Sequence, residues 1–275
     1  MDASASWDGA TWSPRPGLPG SAAVFKALSC VTASFCVAVG DRAVQMHGVK
    51  AAIWTLVAIW SGKRWSIVAS PSPGLRPSPG MYPFDTLNGV SCLSSRFCVA
   101  VGNYTAPPRI HGPTNSLVEM WDGARWSVVP SPDEGPPGAF NTLEAVSCAS
   151  PSSCMAVGTY EYSTGTDMVS TLVERWDGEA WSVMTSPGRG PSPSGDFTNA
   201  LLSVSCPFSA HCVAVGSYEP GSGATEKGLV VVWSGSSWTL EPTAMHPQVV
   251  LGAVSCAATG DCVVLGSGVI EEGRL

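Results

Sequence analysis

Short apolar runs rich in β-branched residues recur along this chain, each bounded by Gly, Pro, Asn or Asp. Four kinds follow one another in fixed order. The first ends in Ser-Cys, as in Ala145-Val146-Ser147-Cys148, and the second is Cys-Val-Ala-Val-Gly, at 98–102 and again at 212–216. The third runs into a tryptophan, Leu172-Val173-Glu174-Arg175-Trp176, and the fourth opens on one, Trp126-Ser127-Val128-Val129. Runs of this length and punctuation predict β-strands, and no window sustains the apolar period of a helix. The set recurs about every 56 residues, which suits a four-stranded sheet better than a single hairpin.

Paired cysteines and paired tryptophans mark the repeat. The Cys-x5-Cys pairs are Cys30/Cys36, Cys92/Cys98, Cys148/Cys154, Cys206/Cys212 and Cys256/Cys262; the Trp-x4-Trp pairs are Trp7/Trp12, Trp60/Trp65, Trp121/Trp126, Trp176/Trp181 and Trp233/Trp238. Only Trp54 stands outside the scheme. From first Cys to first Trp the separations are 30, 29, 28 and 27, and counting from Cys256 through Leu275 and on from Met1 to Trp7 gives 26. A chain that starts with the second half of a repeat and ends with the first half is expected to close into a ring, its two ends completing one unit. The expectation is an all-β, single-domain, five-bladed β-propeller of four-stranded blades, at 18–70, 84–131, 140–187, 198–243, and 249–275 together with 1–17. The strand of Trp12 would then pair with strands from 256–266.

The recurrence of V-S-C-x5-C-x-A-V-G followed by W-D-G-x-x-W resembles a family of bacterial repeat proteins, usually secreted and read as β-propellers. The likeness covers essentially the whole chain and implies the same ring. Ser6-Trp7-Asp8-Gly9-Ala10-Thr11-Trp12 also looks like the sialidase Asp-box with one residue missing. That resemblance implies a structural turn and no sialidase chemistry. Asp8, Asp122 and Asp177, with Ser61 and Ser234 in the other units, are expected to cap their own turns while Gly supplies positive φ.

Composition narrows the function. A net charge of −7 with 14 scattered Lys and Arg excludes the basic stripe that nucleic acid requires, and no apolar run is long enough to span a membrane as a helix. Each Cys pair links the end of one strand to the start of its antiparallel neighbour, so five local disulfides are expected if the protein is exported. Zinc is disfavoured because each pair belongs to a different blade and no His accompanies it at regular spacing; no metal or cofactor is expected. Disulfides point to an extracellular or cell-surface location. Met1-Asp2-Ala3-Ser4 opens without the basic and apolar regions of a signal peptide, so the expectation is either export with a signal already removed or, as the alternative, a cytoplasmic chain with reduced cysteines.

Strands that alternate in direction put the uniform Cys-x5-Cys and Trp-x4-Trp turns on one face. The long, divergent connections (41–53, 103–115, 159–170 and 217–228; 67–86, 130–142, 185–200 and 239–250) fall on the other, and any site is expected there, at the mouth of the central channel. Three units carry a tyrosine after the second-strand Gly: Tyr104, Tyr160 and Tyr218. These are candidates for stacking on a sugar or other flat ligand, or alternatively wedges between blades. Unit one instead has Asp41 and Arg42 and continues to His47; with Arg109 and His111 these form the group that most resembles a catalytic or anion-binding constellation. Glu119 and Glu174 share a third-strand position occupied elsewhere by Ala58 and Val231, and read as solvent-facing or inter-blade contacts rather than a glycosidase pair. Ser29, Ser91, Ser147, Ser205 and Ser255 recur without a His in register and are expected to form a hydrogen-bonded ring rather than a triad. Asn103-Tyr104-Thr105 is a formal glycosylation sequon.

These features favour a monomeric, non-catalytic binding module for a glycan or other cell-surface ligand, small molecule or protein. The alternatives are an enzyme acting on a small molecule at the channel mouth, in a biosynthetic pathway, and a structural scaffold.

Overall fold

The computed structural model describes residues 4–7, 10–15, 23–46, 49–74, 83–105, 113–163, 167–188, 197–221, 224–241, 249–267 and 269–274. His47, Arg109 and His111 lie outside them. The described residues form strands and turns, with no helix among them. Two short strands, β1 (Ser4–Trp7) and β2 (Trp12–Arg15), make a two-stranded sheet of their own. Unit one is β3 (Ala23–Thr32), β4 (Phe35–Met46), β5 (Val49–Trp60) and β6 (Trp65–Val68). Unit two is β7 (Thr86–Ser94), β8 (Phe97–Thr105), β9 (Thr114–Trp121) and β10 (Trp126–Val128). Unit three is β11 (Phe140–Ser150), β12 (Ser153–Ser163), β13 (Asp167–Trp176) and β14 (Trp181–Val183). Unit four is β15 (Phe197–Phe208), β16 (His211–Glu219), β17 (Lys227–Trp233) and β18 (Trp238–Leu240), and unit five is β19 (Leu251–Cys256), β20 (Asp261–Gly266) and β21 (Val269–Arg274).

Units one to four are antiparallel meanders in strand order one to four, as the repeat predicts. Their second strands are buried on both faces, which is why they read as unbroken Val and Ala runs. The core is therefore made between units: Val99, Val101 and Val118 of unit two pack with Leu143, Val146 and Trp176 of unit three. The Gly that ends each second strand is fixed by close approach. A Cβ at Gly102 would lie 2.0 Å from the Thr86 carbonyl oxygen, where β7 bulges at Asn88.

One face is locked twice over. All five cysteine pairs are disulfides, Cys30–Cys36, Cys92–Cys98, Cys148–Cys154, Cys206–Cys212 and Cys256–Cys262. In units one, two, three and five the two cysteines are cross-strand register partners. The second-strand members, Cys36, Cys98, Cys154, Cys212 and Cys262, are all buried. These cysteines are therefore structural clasps between the first and second strands and offer no thiol to a ligand. The first tryptophan of each complete unit donates its indole N–H to a carbonyl in the neighbouring Cys-x5-Cys turn: Trp60 to Ala33, Trp121 to Ser95 and Trp176 to Pro151 at 3.0 Å, and Trp233 to Ser209 at 3.3 Å. Asp122 Oδ1 accepts the N–H groups of Ala124 and Arg125, and Asp177 Oδ1 those of Glu179 and Ala180, so both aspartates are turn-forming.

Consecutive units are keyed by the first-strand serines. Ser29 Oγ accepts the N–H of Cys92, Ser91 that of Cys148, Ser147 that of Cys206 and Ser205 that of Cys256, at 2.9–3.1 Å. No corresponding bond joins Ser255 to Cys30 among the described residues. Leu28 on β3 and Val263 and Leu265 on β20 are exposed, whereas Val204, Val213 and Val215 at the equivalent places are buried.

The fifth unit departs from expectation. Its third strand is β21, which folds straight back on β20 through the turn at Ser267 and pairs Cys262 with Gly273. In the other units that place opposite the second Cys belongs to a tryptophan, as in Cys98↔Trp121. The strand of Trp12 pairs with that of Trp7 and not with 256–266. A local hairpin closes a shorter loop than strand exchange between the chain ends, and it is the pairing formed.

Candidate functional site

First strands begin and second strands end on the face opposite the disulfides. There units two to four place a tyrosine on the second strand opposite a polar residue on the third: Tyr104↔Asn115, Tyr160↔Ser170 and Tyr218↔Lys227. Unit one reverses the pair, with Arg42 on β4 opposite Trp54 on β5. The three tyrosines are half-buried and pack against three different inter-unit cores. Tyr160 also stacks on Tyr162, centroids 6.0 Å apart. Burial, and then the charge of Asp133, hold the Tyr104 phenol above its ordinary range. Asn103 is buried within β8, so its sequon is not presented as a surface loop.

The exchange opens a cavity of about 420 Å³ between unit one and the start of unit two, lined by Arg42, Trp54, Thr55, Ser70, Ser72 and Asp85 among others. Its polar wall is a chain of hydroxyls. Thr55 Oγ1 donates to the Pro71 carbonyl at 2.8 Å and lies 3.0 Å from Ser70 Oγ and 2.9 Å from Ser72 Oγ. Ser70 Oγ in turn is 3.1 and 2.9 Å from the two carboxyl oxygens of Glu119, which is fully buried in unit two. Burial pushes Glu119 up to about 8, with the nearby charge of Asp85 adding to it and the Ser70 contact opposing it. A hydroxyl carries one proton. With Thr55 donating to Pro71 and Ser70 to Thr55, the chain is complete when Glu119 carries a proton of its own.

Asp85 closes the other side. Its Oδ2 accepts the N–H of Gly74 at 2.9 Å and its Oδ1 that of Thr105 at 3.4 Å, and burial raises it to about 6 despite these bonds. Asn141, in the corresponding place of unit three, ties its own loop through Glu134 in the same way. Arg42 is different: its Nε is buried without a hydrogen-bond partner among the described residues.

The serine–glutamate contact recurs one unit on, where Ser131 Oγ donates to Glu174 Oε2. Burial likewise pushes Glu174 up to about 7. Both glutamates are inter-unit contacts with no exposure, which rules out the solvent-facing option. At the next boundary Val231 occupies the glutamate position and the hydroxyl of Ser186 has no partner among the described residues.

Asp41 and Arg42 do not act together. Asp41 pairs with Lys26 at 3.0 Å and accepts from Thr86 Oγ1 at 2.9 Å. Lys26 also donates to Thr86 and Asn88, and Asn88 to the Leu143 carbonyl, at 2.6, 3.1 and 3.0 Å. Lys26, Asn88 and Glu144 are the bulge residues of three successive first strands, and burial raises the Glu144 carboxyl against the opposing charge of Lys26. Sequence reasoning missed Trp54, Thr55, Ser70 and Asp85 as site residues. The signal for Trp54 was its place outside the tryptophan pairs.

Repeated antiparallel four-stranded units packed in series, with a cavity on the variable-loop face, define the class of this protein as an all-β repeat protein. No family model matches the chain, and no curated protein matches it. Among solved structures it is similar to YCF48 bound to D1 peptide (14% identity, 93% of this chain and 64% of that one, TM-score 0.49). It is also similar to an alpha-L-arabinanase of Penicillium chrysogenum complexed with arabinobiose (11%, 96% and 81%, 0.49) and to the fucose-specific lectin of Aleuria aurantia (13%, 90% and 72%, 0.45). The chain thus spans 64% of the YCF48 chain's length.

Proposed function

We propose that this chain is a non-catalytic binding module that takes a glycan or similar polyhydroxylated ligand on its variable-loop face, in the cavity beside Arg42. The observation that carries this reading is the exchange in unit one, which turns an aromatic–polar pair around and brings Arg42 and Trp54 to one cavity. An indole face suits the C–H surface of a sugar ring, and guanidinium and hydroxyl groups suit its oxygens. The carboxyls argue against turnover. A glycosidase pair must present two carboxyl groups to the scissile bond, whereas Asp85 accepts backbone N–H groups on both oxygens and Glu119 lies behind Ser70. Five disulfides fit an oxidising environment, hence a location outside the cell or at its surface. No helix among the described residues is long and apolar enough to cross a membrane. Calorimetric titration with a panel of oligosaccharides tests the reading. Saturable binding lost in Trp54→Ala, without product formation, is expected; product formation, or binding indifferent to Trp54, overturns it.

The repeat is further inferred to be a five-bladed propeller whose closure would bury Leu28 of β3 against Val263 and Leu265 of β20, all three exposed in this structure. Support comes from equivalent residues at the third-to-fourth and fourth-to-fifth boundaries, which are buried in such contacts.

A further inference from the structure

The groups lining the cavity beside Arg42 differ in what they still offer a ligand. Thr55 Oγ1 donates to Pro71 and stands between Ser70 and Ser72, so its donor and acceptor capacity is filled. Ser70 is held between Thr55 and Glu119. Ser72 Oγ already accepts the N–H of Thr55 at 3.2 Å. Asp85 is taken up by the N–H groups of Gly74 and Thr105, and no ion pair joins it to Arg42 among the described residues. What remains is Arg42, which lines the cavity and whose buried Nε has no hydrogen-bond partner among the described residues. A buried donor without a partner is costly, and a guanidinium matches a planar oxyanion through two parallel N–H contacts.

Trp54 fixes the second requirement. It is the register partner of Arg42 on the adjacent strand and lines the same cavity. Residues directly opposite in an antiparallel pair stand about 5 Å apart at Cβ, so a ligand that meets the guanidinium also meets the indole. The volume of about 420 Å³ lies at the small end of the roughly 300–1,000 Å³ typical of ligand pockets, room for a single ring rather than an extended chain.

We propose that the ligand of this cavity carries a carboxylate on a sugar ring, a uronic acid or related acidic sugar, with the carboxylate on Arg42 and the ring on Trp54. This rests on the reading of the cavity as a sugar site and adds the charge of the ligand to it.

The test is calorimetric titration at pH 6 with D-glucuronate, D-glucose and acetate, on the whole chain and on Arg42→Gln, Arg42→Lys and Trp54→Ala, with thermal melts to show that each variant is folded. Glucuronate is expected to bind at least tenfold more tightly than glucose or acetate. Arg42→Gln is expected to bring glucuronate down to the level of glucose, Arg42→Lys to keep part of the preference, and Trp54→Ala to weaken both sugars. Equal binding of glucuronate and glucose, or a preference unchanged in Arg42→Gln, overturns the acidic-sugar inference and leaves the sugar site standing. Acetate binding as tightly as glucuronate overturns it as well, by showing an anion site indifferent to the ring. Binding of neither sugar overturns the sugar site and the inference with it.

Discussion

Ser70 and Glu119 meet across the boundary of units one and two, the serine hydroxyl 3.1 and 2.9 Å from the two carboxyl oxygens. Burial holds Glu119 at about 8, Glu174 at about 7 and Asp85 at about 6, all above the values of exposed carboxyls. The native state therefore keeps protons that the unfolded chain releases. Their stabilising effect is complete below the ordinary carboxyl range, near pH 4, and is lost as pH rises toward 8. The thermal midpoint is expected to fall by roughly 5 °C or more between pH 5 and pH 8.5, and Glu119→Gln to flatten that fall. A midpoint that holds steady or rises over this interval contradicts the burial of these groups.

Ser131 and Ser186 occupy the same place in consecutive units, one with a glutamate partner and one without. Ser131→Ala is expected to destabilise by about 1–3 kcal/mol, because it removes the hydrogen bond of a buried carboxyl. Ser186→Ala is expected to be neutral or stabilising. Urea unfolding of the two variants compares them directly, and equal losses would show that the hydroxyl of Ser186 is satisfied.

Gly102 lies so close to the Thr86 carbonyl that any side chain must displace the bulge of β7. Gly102→Ala is expected to cost about 3 kcal/mol or more, the upper part of the overpacking range. Gly138, around which nothing lies within 4 Å of an added Cβ, has positive φ and is the control for backbone strain without crowding. Urea midpoints rank the two variants, and a milder effect at Gly102 would show that β7 yields.

Asp85 shares its cavity with Arg42 and has Tyr104 and Glu119 as its other titratable neighbours. As pH rises through about 6 its carboxyl ionises and places a negative charge beside the guanidinium. Glucuronate affinity is expected to fall several-fold between pH 5 and pH 7.5, and to stay level in Asp85→Asn, which keeps the acceptor for Gly74 or Thr105. A wild-type affinity independent of pH, or an equal fall in the variant, removes Asp85 from the recognition of charge.

Closure of the ring has its own measurement. Cysteines introduced by Leu28→Cys and Val263→Cys are expected to cross-link within one chain under mild oxidation. Cross-linking only between chains, or none, overturns closure across these faces.

Much of the fold was legible in sequence because it is carried by residues with one geometric use. The Cys and Trp pairs sit at tight turns, and the serines before the first cysteines find the same N–H in each following unit. The site was less legible because it depends on where loops return. Asp85 and Asn141 do the same work, but lie at the ends of connections of different length and sequence. Arg42 was singled out for breaking the tyrosine series, yet its grouping with Asp41 followed adjacency along the chain. The folded chain gives Asp41 to Lys26 and Thr86, and gives Arg42 a neighbour from the next strand. The burial of Glu119 and Glu174 was hidden for a related reason, since each partner serine belongs to the preceding unit.

The serine-to-cysteine bonds put one and the same contact into each of the four junctions, whatever loops the adjoining units carry. That contact does not record which unit it joins. Duplication or deletion of a whole unit by recombination would leave it in place at every remaining junction, so a change in the number of units would disturb only the contacts particular to a junction, such as the pairs of Ser70 with Glu119 and of Ser131 with Glu174.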